Sequence, residues 1–188
     1  MYYRRPDLHR NIVGISVYRI ANPDKFSYRA AFNQKDWQTK SAGSLLFGAE
    51  THYGILKADS AFVPANAGTN YGQAGINNIQ FFTIGPGIGY AYTLVMSKHL
   101  FVTASAIGSV NVNISGEQTS DGKTTKTKIL PGGNYKAAVG YNSAAWSITA
   151  ALLGNAVYAG SSFSRKEYFL PTGNVNLVVA KKFGTKSR

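Results

Sequence analysis

Glu50 and His52 stand two residues apart in a stretch, 41 to 56, that alternates apolar and polar side chains. A carboxylate and an imidazole on one side of a strand are two parts of the set that an acyl hydrolase or a lipid-modifying enzyme uses, and Ser44 shares that side. Spacing decides against the assembly. Six residues of extended chain put Ser44 about 20 Å from Glu50, so this segment brings no nucleophile to the base. No catalytic residue is assigned. Glu50, His52 and the distant Lys136 are read instead as candidate lumen-facing groups.

Other sites fall away on similar grounds. His9, His52 and His99 are scattered, which gives no metal-ligand spacing, and the absence of cysteine removes disulfides and thiolate sites. The run Gly85-Pro86-Gly87-Ile88-Gly89 lacks the spacing and the following helix of a nucleotide loop, and reads as a strand where small residues admit a close neighbour. No cofactor is expected.

The elements that carry these residues are strands. Leu100 to Ser115 alternates for about 16 residues, with Leu100, Val102, Ala104, Ala106, Val110, Val112 and Ile114 on one side. Thr103, Ser105, Ile107, Ser109, Asn111, Asn113 and Ser115 line the other, polar but for Ile107. A helix would scramble the two sets. Soluble strands run to about 5 or 6 residues, whereas a tilted membrane-spanning strand needs about 9 to 11. The segment 145 to 160 repeats the pattern, with Trp146, Ile148, Ala150, Leu152 and Tyr158 opposed to Ser147, Thr149 and Asn155. Apart from Lys181 and Lys182 at the end of the last segment, only Arg19, Glu50 and Lys136 put charge inside the alternating stretches. Faces that long without charge are covered by something other than water, and lipid fits.

Seven spans follow, at 11–20, 41–56, 79–96, 100–115, 129–141, 145–160 and 173–183. The connections at 97–99 and 141–144 are short. Those at 57–78, 115–128 and 161–172 are polar and read as long loops. Short periplasmic turns and longer outer loops are the habit of bacterial barrels, which also have an even number of strands. Seven is odd, so the chain is expected to lack N-terminal strands; the alternative is that Phe26 to Asn33 forms an eighth. Met1 to Asp7 has no apolar signal-peptide core, which agrees with a missing N-terminal part. The fold class is thus all-β, an antiparallel up-and-down transmembrane β-barrel of about seven to eight strands in this chain, one domain over residues 1–188.

The net charge of +12 admits nucleic acid as a partner, but no basic face with interleaved aromatics and no binding module accompanies it. Nucleic acid is not expected. The basic residues gather at strand ends and loops, for example Lys123, Lys126, Lys128, Arg165 and Lys166, where anionic headgroups of outer-membrane lipid and lipopolysaccharide would meet them.

Residues 25 to 44 read KFSYRAAFNQKDWQTKSAGS. This segment resembles the signature of a Bacteroidota outer-membrane β-barrel family known as domain of unknown function number 4421, through Phe26, Arg29, Phe32, Gln34, Ser41, Gly43 and Ser44 among others. The stretch GYAYTLVMSKHLFVTASA, from Gly89 to Ala106, is similar to that family's strand, periplasmic turn and strand. The resemblance implies an outer-membrane location and a longer N-terminal part, and it implies no activity. Residues 21–40 are long for a periplasmic turn. They are expected to fold into the barrel mouth or to meet an envelope protein.

The expected function is that of a non-catalytic outer-membrane barrel, either a passive channel tuned by Glu50, His52 and Lys136 or a structural subunit of an envelope complex. The alternatives are an outer-membrane lipid-modifying enzyme and a soluble lipocalin-like carrier.

Overall fold

A computed structural model describes residues 6–33, 36–63, 75–97, 99–119, 122–162 and 167–181. Seven strands follow one another: β1 (His9–Ile20), β2 (Ala42–Lys57), β3 (Asn78–Val95), β4 (Leu100–Thr119), β5 (Gly122–Asn142), β6 (Trp146–Ala159) and β7 (Tyr168–Lys181). Each pairs antiparallel with the next, in the order β1 to β7, and the sheet curls into a half-barrel. β1 and β7 are its two edges.

All seven expected spans are strands, with two corrections at their ends. The polar segment 115–128 is no long loop: β4 runs to Thr119 and β5 starts at Gly122, with Gln118 opposite Lys123 and Thr119 opposite Gly122. Its polarity marks where the hairpin leaves the apolar belt, and the β-branched Thr124, Thr125 and Thr127 suit an extended chain. The second correction is at residues 161–172, where β7 already begins at Tyr168. Pro171 is tolerated there because β7 is an edge strand that pairs only with β6. Phe26 to Asn33 is not an eighth strand, since Arg29–Asn33 forms a short π-helical turn. Residues 64–74, Lys98, Asp121, Arg165, Lys166 and residues 182–183 lie outside the described residues.

The period-two pattern sets which side chains point outward. On β3, Phe82, Ile84, Ile88, Tyr90, Tyr92 and Leu94 are exposed, and β4 adds Val102, Val110, Val112 and Ile114. The edges continue the belt, with Val13 and Val17 each 70% exposed on β1 and Val175 75% exposed on β7. The inward faces are small or polar. A Cβ on Gly85 or Gly89 would collide with the Val110 or Ala106 carbonyl oxygen of β4, so glycine there lets the two strands close up.

Side chains fill the interior in layers. At the end carrying residues 58–63, Leu56, Ile76, Ile79, Phe81, Val157 and Leu170 form one apolar cluster. At the opposite end, the segment that follows β1 folds inward through Phe26, Ala30 and Ala31. Phe26, 1% exposed, packs with Leu46, Ala91 and Ile107, and Ala31 packs with Phe101, Ala138 and Ala151. Between these apolar layers lies a polar one.

Candidate functional site

Glu50 is the centre of that polar layer. It sits on the inward face of β2, opposite Ser16 of β1 and Gly85 of β3, and is 4% exposed. Glycine at position 85 leaves room for its neighbours, because no side chain there competes for the space. The Tyr18 phenol donates to Glu50 Oε2 at 2.9 Å, and Asn134 Nδ2 donates to the same oxygen at 3.3 Å. Ser109 donates its hydroxyl to Oε1, joined by Asn111 Nδ2 at 3.3 Å. Cross-bonds tie the donors together: Asn111 Nδ2 to Ser109 Oγ at 2.9 Å and Asn134 Nδ2 to the Tyr18 oxygen at 3.4 Å. Strands β1, β2, β4 and β5 thus meet on one carboxylate, bonded by neutral donors alone. A carboxylate so solvated by side chains is a structural knot, since hydrogen bonds to a charged group are the strong ones.

The sequence placed Glu50 on the inner face but could not supply its partners. Ser109 and Asn111 are in the polar set of residues 100–115, Tyr18 has the inward parity of β1, and Asn134 the parity of Lys136. Only the register, which sets Ser109 opposite Gly132 and Ile107 opposite Asn134, brings them to Glu50. His52 is buried on the same face, packed over Gly14, where any side chain would strike its ring. The four hydrogen bonds that Glu50 accepts come from other residues. Ser44, as expected from spacing, is remote: it accepts a hydrogen bond from Asn22 N at 2.9 Å and donates to the Leu45 carbonyl. A hydroxyl, an imidazole and a carboxylate are all present on the inner wall, but the hydroxyl beside Glu50 is that of Ser109, and it is held by the acid rather than by a base.

Lys136 faces inward from β5, between Ser105 and Leu153 of the neighbouring strands. Its ammonium lies 5.5 Å from the Tyr28 ring centroid, a cation–π contact. Among the described residues no carboxylate lies within ion-pair distance of it. Tyr28 belongs to residues 21–40, and burial pushes its phenol above the ordinary range, with the neighbouring Ser105 hydroxyl opposing.

The signature segment explains itself locally. Ser41 accepts a hydrogen bond from Val95 N at 2.9 Å and so ties the approach to β2 to the end of β3. Gly43 has no Cβ because the Tyr90 hydroxyl occupies that place. Ser27 donates to Asp36 Oδ2 at 2.7 Å and Arg29 Nε pairs with the same carboxylate at 3.6 Å, which staples the two arms of the segment together. Phe26 is in the core, Phe32 packs beside Ala31, and Trp37 stacks on His99. Gln34 lies outside the described residues.

A second buried acid went unnoticed in the sequence. Glu117, at the far end of β4, accepts hydrogen bonds from the Tyr168 phenol at 2.8 Å and from Ser162 N. Nearby, Lys128 Nζ donates to Glu167 at 2.7 Å, and Ser115 donates to the Gly160 carbonyl at 2.6 Å. These bonds hold residues 160–162 against the inner wall. The signal was present in the alternation, since Glu117 continues the inward parity of Asn113 and Ser115. A loop assignment for 115–128 hid it.

An up-and-down antiparallel half-barrel, with an apolar outer belt and one mouth filled by its own chain, is the class of protein these features define. The chain belongs to the family of a domain of unknown function, DUF4421, whose model matches residues 1–183. No curated protein and no solved structure matches it.

Proposed function

We propose that this chain is the wall of an outer-membrane β-barrel, as in a Bacteroidota cell envelope, and that the barrel serves as a structural subunit rather than as an enzyme or an open pore. The observation that carries the membrane reading is the belt of exposed large apolar side chains across all seven strands. Leu100 to Ile114 is 14 steps along β4, or about 46 Å at ~3.3 Å each. Tilted by about 45°, that length covers roughly 33 Å, close to the ~30 Å hydrocarbon thickness of a bilayer. Beyond the belt, Lys123 and Lys126 meet the phosphates of lipopolysaccharide. A lipocalin-like carrier would need this face wet.

The interior favours a closed barrel. The Glu50 knot and the two apolar layers leave the lumen occupied by side chains, as in small barrels generally. Phe26, Ala30 and Ala31 turn inward, so any envelope partner of residues 21–40 meets their polar side, around Asp24, Lys25 and Lys40. Closure of the wall follows from strand direction. β1 and β7 run the same way in an up-and-down sheet of seven. An odd number of further strands restores antiparallel pairing at both edges, whereas a second copy related by an axis along the membrane normal sets β7 beside a parallel β1.

Planar-bilayer recording of the full-length protein, with and without residues 26–38, tests the role. The closed reading expects no unit conductance from the intact protein and none once the segment is deleted, because the Glu50 layer and the apolar layer around Phe81 still fill the interior. Steady openings of the intact protein would establish the passive channel instead. Extraction from membranes only by detergent tests the location, and solubility without it would favour the carrier. Lipid A or phospholipid cleavage abolished by His52→Ala would favour the enzyme.

A further inference from the structure

The inner wall beside the turn Arg29–Asn33 lines a half-open cleft of ≈ 410 Å³, within the range of about 300 to 1,000 Å³ usual for small-molecule sites. Both charged residues of its lining are basic. Lys136 and Arg29 both reach it, and the one carboxylate near Arg29, Asp36, is already taken by Arg29 and by the Ser27 hydroxyl. Glu50 offers nothing either, since Tyr18, Ser109, Asn111 and Asn134 saturate it. Lys136 is therefore a half-buried cation whose one described partner is an aromatic face. Such a face is worth about 0.5 to 2 kcal/mol, less than a buried ammonium needs.

Two hydroxyls sharpen the point. The Tyr28 and Ser105 oxygens are buried beside one another without an aligned hydrogen-bond partner. Ser105 is directly opposite Lys136 in the β4–β5 register, and Tyr28 is the residue whose ring the ammonium faces. Each hydroxyl can accept as well as donate, but neither carries charge, so the ammonium has no anionic partner among the described residues, the reverse of the Glu50 knot. Ile20, Phe32, Ile107 and Leu153 give the cavity an apolar wall, beside the neutral polar Ser16, Tyr18 and Asn33.

We propose that this cavity binds an amphiphilic anion. A carboxylate or phosphate monoester head pairs with the two cations of the lining, Lys136 and Arg29, and the apolar tail lies on Ile20, Phe32, Ile107 and Leu153. Free fatty acids and phosphorylated lipid fragments share this chemistry, and both occur beside a membrane.

Octanoate and octyl phosphate, added below their micellar concentrations to the delipidated full-length protein, probe it by native mass spectrometry and calorimetry. Binding of one or both is expected, and the tighter head group identifies the source. Octyltrimethylammonium should bind at least about tenfold more weakly. Lys136→Met should weaken anion binding about tenfold or more, the loss typical of one charge-assisted hydrogen bond, while Lys136→Arg retains it. Lys57→Met, at the exposed end of β2, should change nothing. Methionine fills the lysine's stem and keeps the packing; Arg29→Met, expected to weaken anion binding from the other side of the cavity, gives a second reading. Equal binding by wild type and Lys136→Met, equal binding of the cationic amphiphile, or no binding of either anion would overturn the proposal. The last result would assign the counter-charge of Lys136 to a carboxylate of another protein segment.

Discussion

Replacing Glu50 with alanine removes the acceptor on which four strands converge. Asn111 keeps Ser109 as a partner at 2.9 Å, and Asn134 keeps Tyr18 at 3.4 Å. The hydroxyls of Tyr18 and Ser109 lose theirs. Each buried orphan donor costs about 1–3 kcal/mol, and the cavity left by the side chain adds about 1 kcal/mol. Relief from burying a carboxylate and entry of water work the other way, so a net loss of about 2–5 kcal/mol is expected. Glu50→Gln keeps one oxygen and the shape. Its new amide group can donate to a rotated hydroxyl, which limits the loss to about 1–2 kcal/mol. Denaturant unfolding of the full-length protein in detergent, followed by tryptophan fluorescence and by temperature-graded electrophoresis, should rank wild type above Glu50→Gln above Glu50→Ala. If Glu50→Ala lay within about 0.5 kcal/mol of wild type, or above Glu50→Gln, the carboxylate would not be the knot described.

Gly89→Val should disrupt the β3–β4 pairing and prevent accumulation of folded protein, because the Ala106 carbonyl stands where its side chain would go; Gly108→Ala, which meets open space, should leave the midpoint of unfolding unchanged. Phe26→Ala should cost about 3–5 kcal/mol, measured in the same unfolding assay, since the ring is fully buried against Leu46, Ala91 and Ile107. Spectrophotometric titration should show a tyrosine fraction ionising later than the exposed phenols, and Tyr28→Phe should reduce that fraction without abolishing it, because burial raises the Tyr28 pKa.

Alternation made the wall legible. Every residue assigned to the apolar side of 100–115 is exposed, from Leu100 to Ile114, and every residue of the opposite side is buried, because a two-residue period needs no knowledge of neighbours. Charge sparsity likewise singled out Glu50 and Lys136 before any partner was known. Polarity misled at 115–128, where it was taken for a loop. It marks instead a strand pair outside the apolar belt, and only the run of threonines hinted at this. What could not be read was register. Ser109, Asn111 and Asn134 are unremarkable inward residues until pairing fixes their height, and Tyr18 reaches Glu50 only because β1 pairs beside it. Residues 21–40 were equally opaque, since aromatic residues in a connection fit an exposed partner surface as well as an inward fold.

That inward fold bears on whether the mouth could open unaided. Withdrawing the segment exposes Phe26, Ala30 and Ala31 to water, at about 1.5–3 kcal/mol for the phenylalanine and ~0.8 kcal/mol for each methyl. It also breaks the bond from Asn22 N to Ser44 and the Trp37–His99 stack, together worth about 1–2 kcal/mol. The sum of about 4–6 kcal/mol leaves the open form at roughly one molecule in a thousand or fewer, at about tenfold per 1.4 kcal/mol. Even then the Glu50 knot and the apolar layer around Phe81 still stand across the lumen. Opening at one end therefore does not make a pore, and a conducting state would require the interior to be rebuilt in all three layers at once.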